Sequence, residues 1–214
     1  MTKQLSHKSA LVLLPPPGIV EPIEAVRRVY DRQFFRWPPH INLLYPFLLS
    51  PSESGRLQSD IRMRIEKVTQ NIQPFHMALR ADPPGVFHHS KTSKTVWLGP
   101  TTRSVRELQA ALQYEFFRGV PDCNRRPFRP HISIGQAKSH DAADHLSAEI
   151  TKSISEFVAR NTNVNGGDRP AELGWLVDQV HVIERKGDKD RFKIIGTIRL
   201  GEPSASTQQV ASDT

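Results

Sequence analysis

The sequence predicts an α+β protein that is built from two antiparallel-rich sheets, each covered by helices. Three observations support this prediction. Strand patterns alternate with helix patterns, both halves end in hairpin patterns, and the element order of the first half repeats in the second. We therefore expect one bilobal domain over residues 1–200, with pseudo-symmetric lobes at about 9–93 and 94–200, a central cleft, and a flexible tail at 201–214.

The first half contains apolar runs of both strand and helix type. SALVLL is a short apolar run of the kind that forms a buried strand. Ser50, Pro51 and Glu53 match a helix start, with a Ser cap, a Pro in the first turn and an acidic residue three positions after the cap. The expected elements are a strand at 9–14, a helix at 21–35, a strand up to Leu48, a helix from Ser50 to Ile72, a strand at 75–79, a turn at 83–85, and a hairpin of GVFHH with KTVWLG (94–99).

The second half repeats this order after Pro100. Apolar residues at helical spacing indicate two helices, and a polar KGDKD segment indicates a hairpin turn. The expected elements are a helix from Val105 to Gly119, a strand containing PHISIG, a helix from Leu146 that stops near Gly166–Gly167, and strands at 175–184 and 191–200.

Composition restricts the class of protein. Lys plus Arg exceed Asp plus Glu by seven, which fits either a well-solvated surface or an anionic partner such as RNA or a nucleotide. The single cysteine, Cys123, excludes an internal disulfide framework and a cysteine-based zinc site. Because no signal-peptide pattern and no membrane-length apolar run is visible, we expect an intracellular protein, cytoplasmic or nuclear, without membrane contact. We also expect a monomer.

Two segments of the chain share the pattern Pro-His-Ile-polar-apolar. Pro39-His40-Ile41-Asn42-Leu43 aligns with Pro130-His131-Ile132-Ser133-Ile134. Since side chains alternate between the faces of a strand, each segment directs its histidine and its polar residue to one face and its apolar pair to the other. A lone strand histidine is most often structural, but two copies in matching halves indicate that the histidines face each other across a cleft.

Two facing imidazoles suit acid–base chemistry on a phosphodiester. A neutral ring takes a proton from water or a hydroxyl, and a protonated ring gives one to the leaving oxygen. Asn42 and Ser133 are placed to donate hydrogen bonds to phosphoryl oxygens, where negative charge grows in the transition state. This chemistry requires no metal and predicts a bell-shaped dependence of rate on pH.

The paired segments resemble the H-x-T/S-x signatures of the 2H phosphoesterase superfamily, which includes 2′-5′ RNA ligase-like proteins and cyclic nucleotide phosphodiesterases. The resemblance extends from about Ser9 to Leu200 and implies a bilobal α+β fold with His40 and His131 as the acid–base pair. It further implies metal-independent chemistry on 2′,3′-cyclic or 2′-5′ phosphodiesters of RNA ends or nucleotides. Asn42 departs from the family pattern, which has Thr or Ser at this position.

Several neighbouring residues are candidates for substrate binding. Arg36 and Arg129 flank the two segments, as does Arg126, and a guanidinium there could contact phosphate. Trp37 lies at the expected rim, where an indole could stack on a base. The alternative for the three arginines is a solvated surface position without a functional contact, and for Trp37 it is packing in the core. We expect no cofactor and no metal ligands, because His88 and His89 have no accompanying metal-binding motif.

The leading hypothesis is a metal-independent phosphodiesterase that hydrolyses 2′,3′-cyclic or 2′-5′ phosphodiesters of an RNA end or nucleotide. One alternative, favoured by Asn42, is an RNA- or nucleotide-binding module with the same fold and slow or no turnover. Another is a 3′-end RNA exonuclease. Sequence alone does not assign the acid and base roles to the two histidines.

Overall fold

The computed structural model describes residues 4–118, 127–161 and 172–202. In this part of the chain the strands are β1 (Leu5–Ser6), β2 (Ser9–Leu13), β3 (Ile41–Leu44), β4 (Phe47–Leu48), β5 (Phe75–Ser90), β6 (Ser93–Pro100), β7 (Ile132–Ala137), β8 (Glu172–Val177), β9 (Gln179–Glu184) and β10 (Lys193–Arg199). The α-helices are α1 (Glu21–Tyr30), α2 (Arg62–Thr69), α3 (Ser104–Phe117) and α4 (His140–Asn161). A π-helical turn at Leu57–Ile61 precedes α2.

Two four-stranded antiparallel sheets form the core of the structure. The first has the strand order β10-β9-β2-β3 and the second has the order β7-β6-β5-β8, while β1 and β4 form a short separate pair. Every pairing in the two large sheets is antiparallel. The predicted α+β class with two antiparallel sheets is confirmed.

The sheets do not coincide with the two halves of the sequence. The expected lobe boundary at residues 93 and 94 falls inside the hairpin of β5 and β6, and the first sheet combines β2 and β3 with β9 and β10. The apolar run at 175–184, predicted as one strand, is two strands in different sheets, divided at Asp178. A continuous apolar run conceals this change of sheet because both of its strands bury residues against the same core.

Each sheet is also covered by one helix from each half of the sequence. α2 and α3 lie against the first sheet, whereas α1 and α4 lie against the second. α1 follows β2 in the chain but packs on β7, which is the strand that follows His131. The apolar faces of both sheets and of all four helices form one continuous core, so the two sheets are held together by shared packing.

Three local predictions differ from the structure. The first helix ends at Tyr30 rather than residue 35, because the Asp31 carboxylate accepts the backbone N–H of Gln33 and replaces the helical hydrogen bond. Ser50 does not cap a helix; it has a positive φ of 44° and precedes a short 3₁₀ turn at Glu53–Gly55. The turn predicted at residues 83–85 is an irregularity within β5, whereas the predicted hairpin of GVFHH with KTVWLG is confirmed, with the chain reversing at residues 91 and 92.

Some sequence predictions concern residues outside the described ranges, namely Gly119, Cys123, Arg126, Gly166–Gly167 and the tail after Glu202. Within the ranges that are described, no helix combines the length and the apolar character that crossing a membrane requires.

Candidate active site

The first histidine segment places His40 immediately before β3. Ile41 and Leu43 are 1% and 3% exposed and pack into the main core, which turns His40 and Asn42 to the opposite face of the sheet. Val12 on β2 pairs with Asn42. The alternation predicted from the sequence is therefore present in the structure.

The second segment repeats this arrangement at β7. Ile132 and Ile134 are fully buried, and His131 and Ser133 occupy the other face of the second sheet, both half-buried. Ser133 pairs with Trp97 on β6. Among the described residues, the Ser133 hydroxyl has no hydrogen-bond partner, so it is available to a ligand.

Both histidine rings are oriented by the same local hydrogen bond. The Nδ1 atom of His40 lies 2.7 Å from the carbonyl oxygen of Pro38, and Nδ1 of His131 lies 2.7 Å from that of Arg129. A carbonyl oxygen can only accept, so Nδ1 carries the hydrogen in each ring. In the neutral form Nε2 is therefore the basic atom of both histidines.

The pKa of both histidines lies below its ordinary value. Burial lowers the pKa of His40 from 6.5 to about 4, and the positive charges of Arg27 and of protonated His131 contribute to the decrease. Burial also lowers the pKa of His131. The charge of His131 thus acts on the His40 ring, although the two histidines are 91 residues apart in the sequence.

Asn42 contacts the histidine on its own strand. Its Nδ2 lies 3.0 Å from Nε2 of His40, so the amide donates to the basic nitrogen of the neutral ring. Its Oδ1 is buried and, within the described part of the protein, has no donor. The amide that was predicted to face a phosphate is thus engaged with His40 in this structure.

A stack of rings supports His40. The Trp37 indole stacks on His40 with ring centroids 4.5 Å apart and planes 15° apart, and it also stacks on Phe192 with centroids 3.8 Å apart. The guanidinium of Arg185 lies 5.4 Å from the Phe192 centroid. These stacking contacts make the Trp37 indole a support for the His40 ring, and the base-stacking role of Trp37, which is half-buried, stays a prediction.

Aromatic residues also surround His131. The rings of Phe87 and Trp97 stack at 4.9 Å, and both present edge-type contacts to His131 at 4.9 and 6.0 Å. The indole of Trp97 occupies space left by Gly85, where an added Cβ would lie 2.2 Å from the ring. Glycine at this position therefore allows a large aromatic side chain to lie across β5 beside the histidine.

The predicted arginines lie around this face of the protein. Arg36 is half-buried, and its positive charge and that of Arg185 act on the Tyr45 hydroxyl, whose pKa is nevertheless raised by burial. Tyr45 in turn contacts the edge of Trp37 at 5.2 Å. Arg129 is exposed beside His131. Arg36 precedes Trp37 in the sequence and Arg129 itself supplies the carbonyl oxygen that holds His131, so the phosphate contacts of the two guanidinium groups stay a prediction.

Comparisons with known proteins place this arrangement in a family. The sequence model of the 2′-5′ RNA ligase superfamily matches residues 15–189, which is most of the chain and includes both histidines. The chain belongs to this superfamily. The predicted relationship to the 2H phosphoesterases is confirmed, and family and fold together indicate a phosphoesterase.

Individual members of the superfamily are distant in sequence. A Staphylococcus aureus protein named "Putative phosphoesterase" is 22% identical over 190 residues, which cover 89% of this chain and 97% of that protein. Escherichia coli LigT, solved with 3′-AMP, has a TM-score of 0.54 and 16% identity over 92% of this chain and 99% of LigT. TT0787 of Thermus thermophilus has a TM-score of 0.56 and 16% identity over 91% and 98% of the two chains.

Sequence reasoning missed several residues that support the superfamily site. Phe192 stacks on Trp37, and a hydrogen-bonded group reaches the chain near both histidines through Arg27, Asp31 and Gln136. Arg27 falls on the apolar stripe of α1 with an acidic residue four positions later, a pattern that could have indicated a buried ion pair. Phe192 carried no comparable signal, because its contact with Trp37 joins residues 155 positions apart in the sequence.

His88 and His89, which were considered as metal ligands, lie on β5. His88 contacts His140 at 5.3 Å, and His89 is hydrogen-bonded to Thr95 at 3.0 Å. Across residues 4–118, 127–161 and 172–202, no three His, Cys, Asp or Glu side chains are grouped so as to hold a metal ion.

Proposed function

We propose that this protein is a metal-independent phosphodiesterase that hydrolyses 2′,3′-cyclic or 2′-5′ phosphodiesters of an RNA end or nucleotide. The observation that supports this most directly is the matching orientation of His40 and His131, whose Nδ1 atoms are both held by carbonyl oxygens, together with the effect of the His131 charge on the pKa of His40. Two such rings present one basic Nε2 each, which is the arrangement that paired acid–base catalysis requires.

We assign the acid and base roles from the environments of the two rings. With a pKa of about 4, His40 is neutral near pH 7 and acts as the general base. His131 acts as the general acid. The negative charge of a bound phosphodiester favours the protonated form of a nearby imidazole, so substrate binding supplies the proton-bearing state of His131. Pairs of titratable groups in different environments divide acid and base roles in this way.

The reaction proceeds by in-line attack on phosphorus. The oxygen of a water molecule forms the new P–O bond while its proton passes to Nε2 of His40. The bond from phosphorus to one ribose oxygen breaks, and Nε2–H of His131 gives its proton to that oxygen. A 2′,3′-cyclic phosphate opens to a monoester, and the two rings regain their starting states by proton exchange with solvent.

Polar groups of the site bind the phosphoryl oxygens. The free hydroxyl of Ser133 donates to one of them, and Arg36 and Arg129 contribute positive charge nearby. Asn42 has to release Nε2 of His40 before that atom can take a proton. Rotation of the amide then turns Oδ1 toward the newly protonated Nε2–H, which gives the buried oxygen a donor.

Nucleotide binding by a structural relative supports the substrate class. LigT of Escherichia coli has been solved with 3′-AMP and with NADP⁺, and both structures share the fold of this chain at TM-scores of 0.54 and 0.51. The net charge of +7 also suits an anionic substrate.

Assay of the purified protein with 2′,3′-cyclic nucleotides and a 2′-5′-linked dinucleotide, in the presence of EDTA, tests the proposal. We expect turnover that falls at least ~10³-fold in His40→Ala and in His131→Ala, and that persists in the control His76→Ala, which removes an exposed histidine of β5. Turnover that requires a metal, or that survives loss of either histidine, would contradict the mechanism.

A second candidate function is nucleotide binding without turnover. The hydrogen bond from Asn42 to Nε2 of His40 favours it, because the amide occupies the lone pair that a general base needs. Tight binding of a 2′,3′-cyclic nucleotide by the wild type without product formation would support this alternative. Stepwise shortening of an oligonucleotide would instead identify the 3′-end exonuclease activity considered from the sequence.

A further inference from the structure

A buried ion pair lies at the end of α1. Arg27 and Asp31 each have side chains that are 2% exposed, and the Nε and Nη2 atoms of Arg27 lie 2.8 and 2.6 Å from Oδ2 of Asp31. Removing two charges from water costs several kcal/mol per ion, which the pairing largely offsets without a large net gain in stability. Such a pair is better explained by the position that it imposes on its neighbours than by its contribution to folding.

The other hydrogen bonds of this pair reach both histidine segments. Nη2 of Arg27 donates to the carbonyl oxygen of Trp37 at 3.0 Å, three residues before His40. Oδ1 of Asp31 accepts from Nε2 of Gln136 at 3.0 Å, five residues after His131. One ion pair is thus bonded to the chain beside each histidine.

Gln136 joins the two sides through both ends of its amide. In addition to its bond with Asp31, its Oε1 accepts the backbone N–H of Arg32 at 2.9 Å. The neighbouring Gly135 permits this contact, since a Cβ there would lie 2.7 Å from Cβ of Tyr30 and 3.0 Å from its carbonyl oxygen. The end of α1 can approach β7 this closely only because residue 135 has no side chain.

We infer that Arg27, Asp31 and Gln136 form an inter-sheet clamp that positions His40 relative to His131. The clamp joins the loop that carries Trp37 and His40, which leads into β3 of the first sheet, to β7 of the second sheet, which follows His131. The inference deepens the proposed function, and its effect on reaction rate rests on that function. Its effect on the histidine rings does not, which allows the two ideas to be tested separately.

The clamp has an electrostatic effect on the His40 ring as well as a geometric effect on its position. Three charged groups act on the His40 ring: Arg27 and His131 lower its pKa, and Asp31 raises it. Neutralising Asp31 therefore leaves the charge of Arg27 unopposed and makes protonation of His40 harder still. Removing the amide of Gln136 changes no charge and alters only the distance between the segments.

Two variants separate these effects. Asp31→Asn keeps the shape of the side chain and removes its charge, and Gln136→Met keeps the length and removes both hydrogen bonds. Glu172→Gln is the matched control, because it neutralises the carboxylate of an exposed ion pair with Arg80 on the same sheet, away from the clamp. For each protein, the imidazole pKa values are measured by NMR, and kcat and KM are measured on a 2′,3′-cyclic nucleotide.

We expect Asp31→Asn to lower the pKa of His40 and both clamp variants to reduce kcat at least tenfold, with KM changed less than threefold. Glu172→Gln should match the wild type in every measurement. Clamp variants that fold and keep wild-type kcat and His40 titration would overturn the inference. Should Asp31→Asn fail to fold, the uncharged Gln136→Met variant decides through kcat and through the chemical shifts of both rings. If the wild type has no turnover, the ring titrations still test the clamp.

Discussion

Folding of this protein should become less favourable in acid because His40 is buried in its neutral form. The pKa of this ring falls from 6.5 to about 4 on folding. Since the unfolded chain binds the proton more readily than the folded chain, the free energy of unfolding is highest above pH 6.5 and decreases as the pH falls toward 4. His40→Gln removes this proton-binding difference while keeping a polar side chain.

The size of the effect follows from the two pKa values. Between pH 7 and pH 4.5, linkage predicts that the His40 ring lowers the free energy of unfolding by about 2 kcal/mol. Buried carboxylates such as Asp31 add acid sensitivity of their own, but that contribution is common to the wild type and the variant. The difference between the two proteins therefore isolates the ring.

Urea denaturation at pH 7 and pH 4.5, followed by tryptophan fluorescence, measures this difference. We expect the wild type to lose about 2 kcal/mol more than His40→Gln between the two pH values. His76→Gln, which replaces an exposed histidine on β5, serves as the control and should behave as the wild type does. Equal losses in the wild type and in His40→Gln would show that His40 is not held neutral by burial.

Three further predictions concern the site. The pH profile of kcat/KM should be bell-shaped with its maximum below pH 6.5, because the base limb follows the pKa of His131, which burial lowers from 6.5, and the acid limb follows the pKa of His40, about 4; a maximum above pH 6.5 would contradict the assigned roles. Asn42→Ala should move the acid limb of that profile upward by about 0.7 pH unit, which is the equivalent of one lost hydrogen bond to the neutral His40 ring. Ser133→Ala should lower the rate without moving the acid limb. An unmoved acid limb in Asn42→Ala would show that the amide does not act on His40. Gly85→Ala should reduce the free energy of unfolding, measured by urea denaturation, by about 1–3 kcal/mol and should also reduce kcat, because the added Cβ would displace Trp97. Gly18→Ala should change neither quantity, since a Cβ at residue 18 meets nothing within 4 Å. Equal stability of the two variants would refute this packing argument.

The histidine segments were the part of the site that sequence could predict. Alternation along a strand is a local rule, so placing Ile41 in the core was enough to place His40 and Asn42 on the other face. Their matching patterns then predicted that the two segments face each other. Their partners were not predictable in this way, because the contacts of Trp37 with Phe192 and of Asp31 with Gln136 join residues more than a hundred positions apart.

The strand composition of the two sheets could not be predicted for a related reason. A repeated element order suggests that each half of the chain folds on itself, yet β9 and β10 complete the sheet that β2 and β3 begin. Nothing local in the run at 175–184 marks Asp178 as the point where the chain leaves one sheet and enters the other. Burial patterns describe which face of a strand is covered, but not which strand lies beside it.

The packing of α1 against a strand from the other half of the sequence affects how rigidly the two histidines are positioned. α1 belongs to the first half of the sequence but packs on the strand that follows His131, and its last turn contributes Arg27, whose partner Asp31 follows directly. A relative movement of the two sheets would have to pull this buried pair away from either Trp37 or Gln136. A buried charge that loses its partners is costly. The hydrogen bonds from Arg27 to Trp37 and from Gln136 to Asp31 therefore resist any movement that would separate the two histidines.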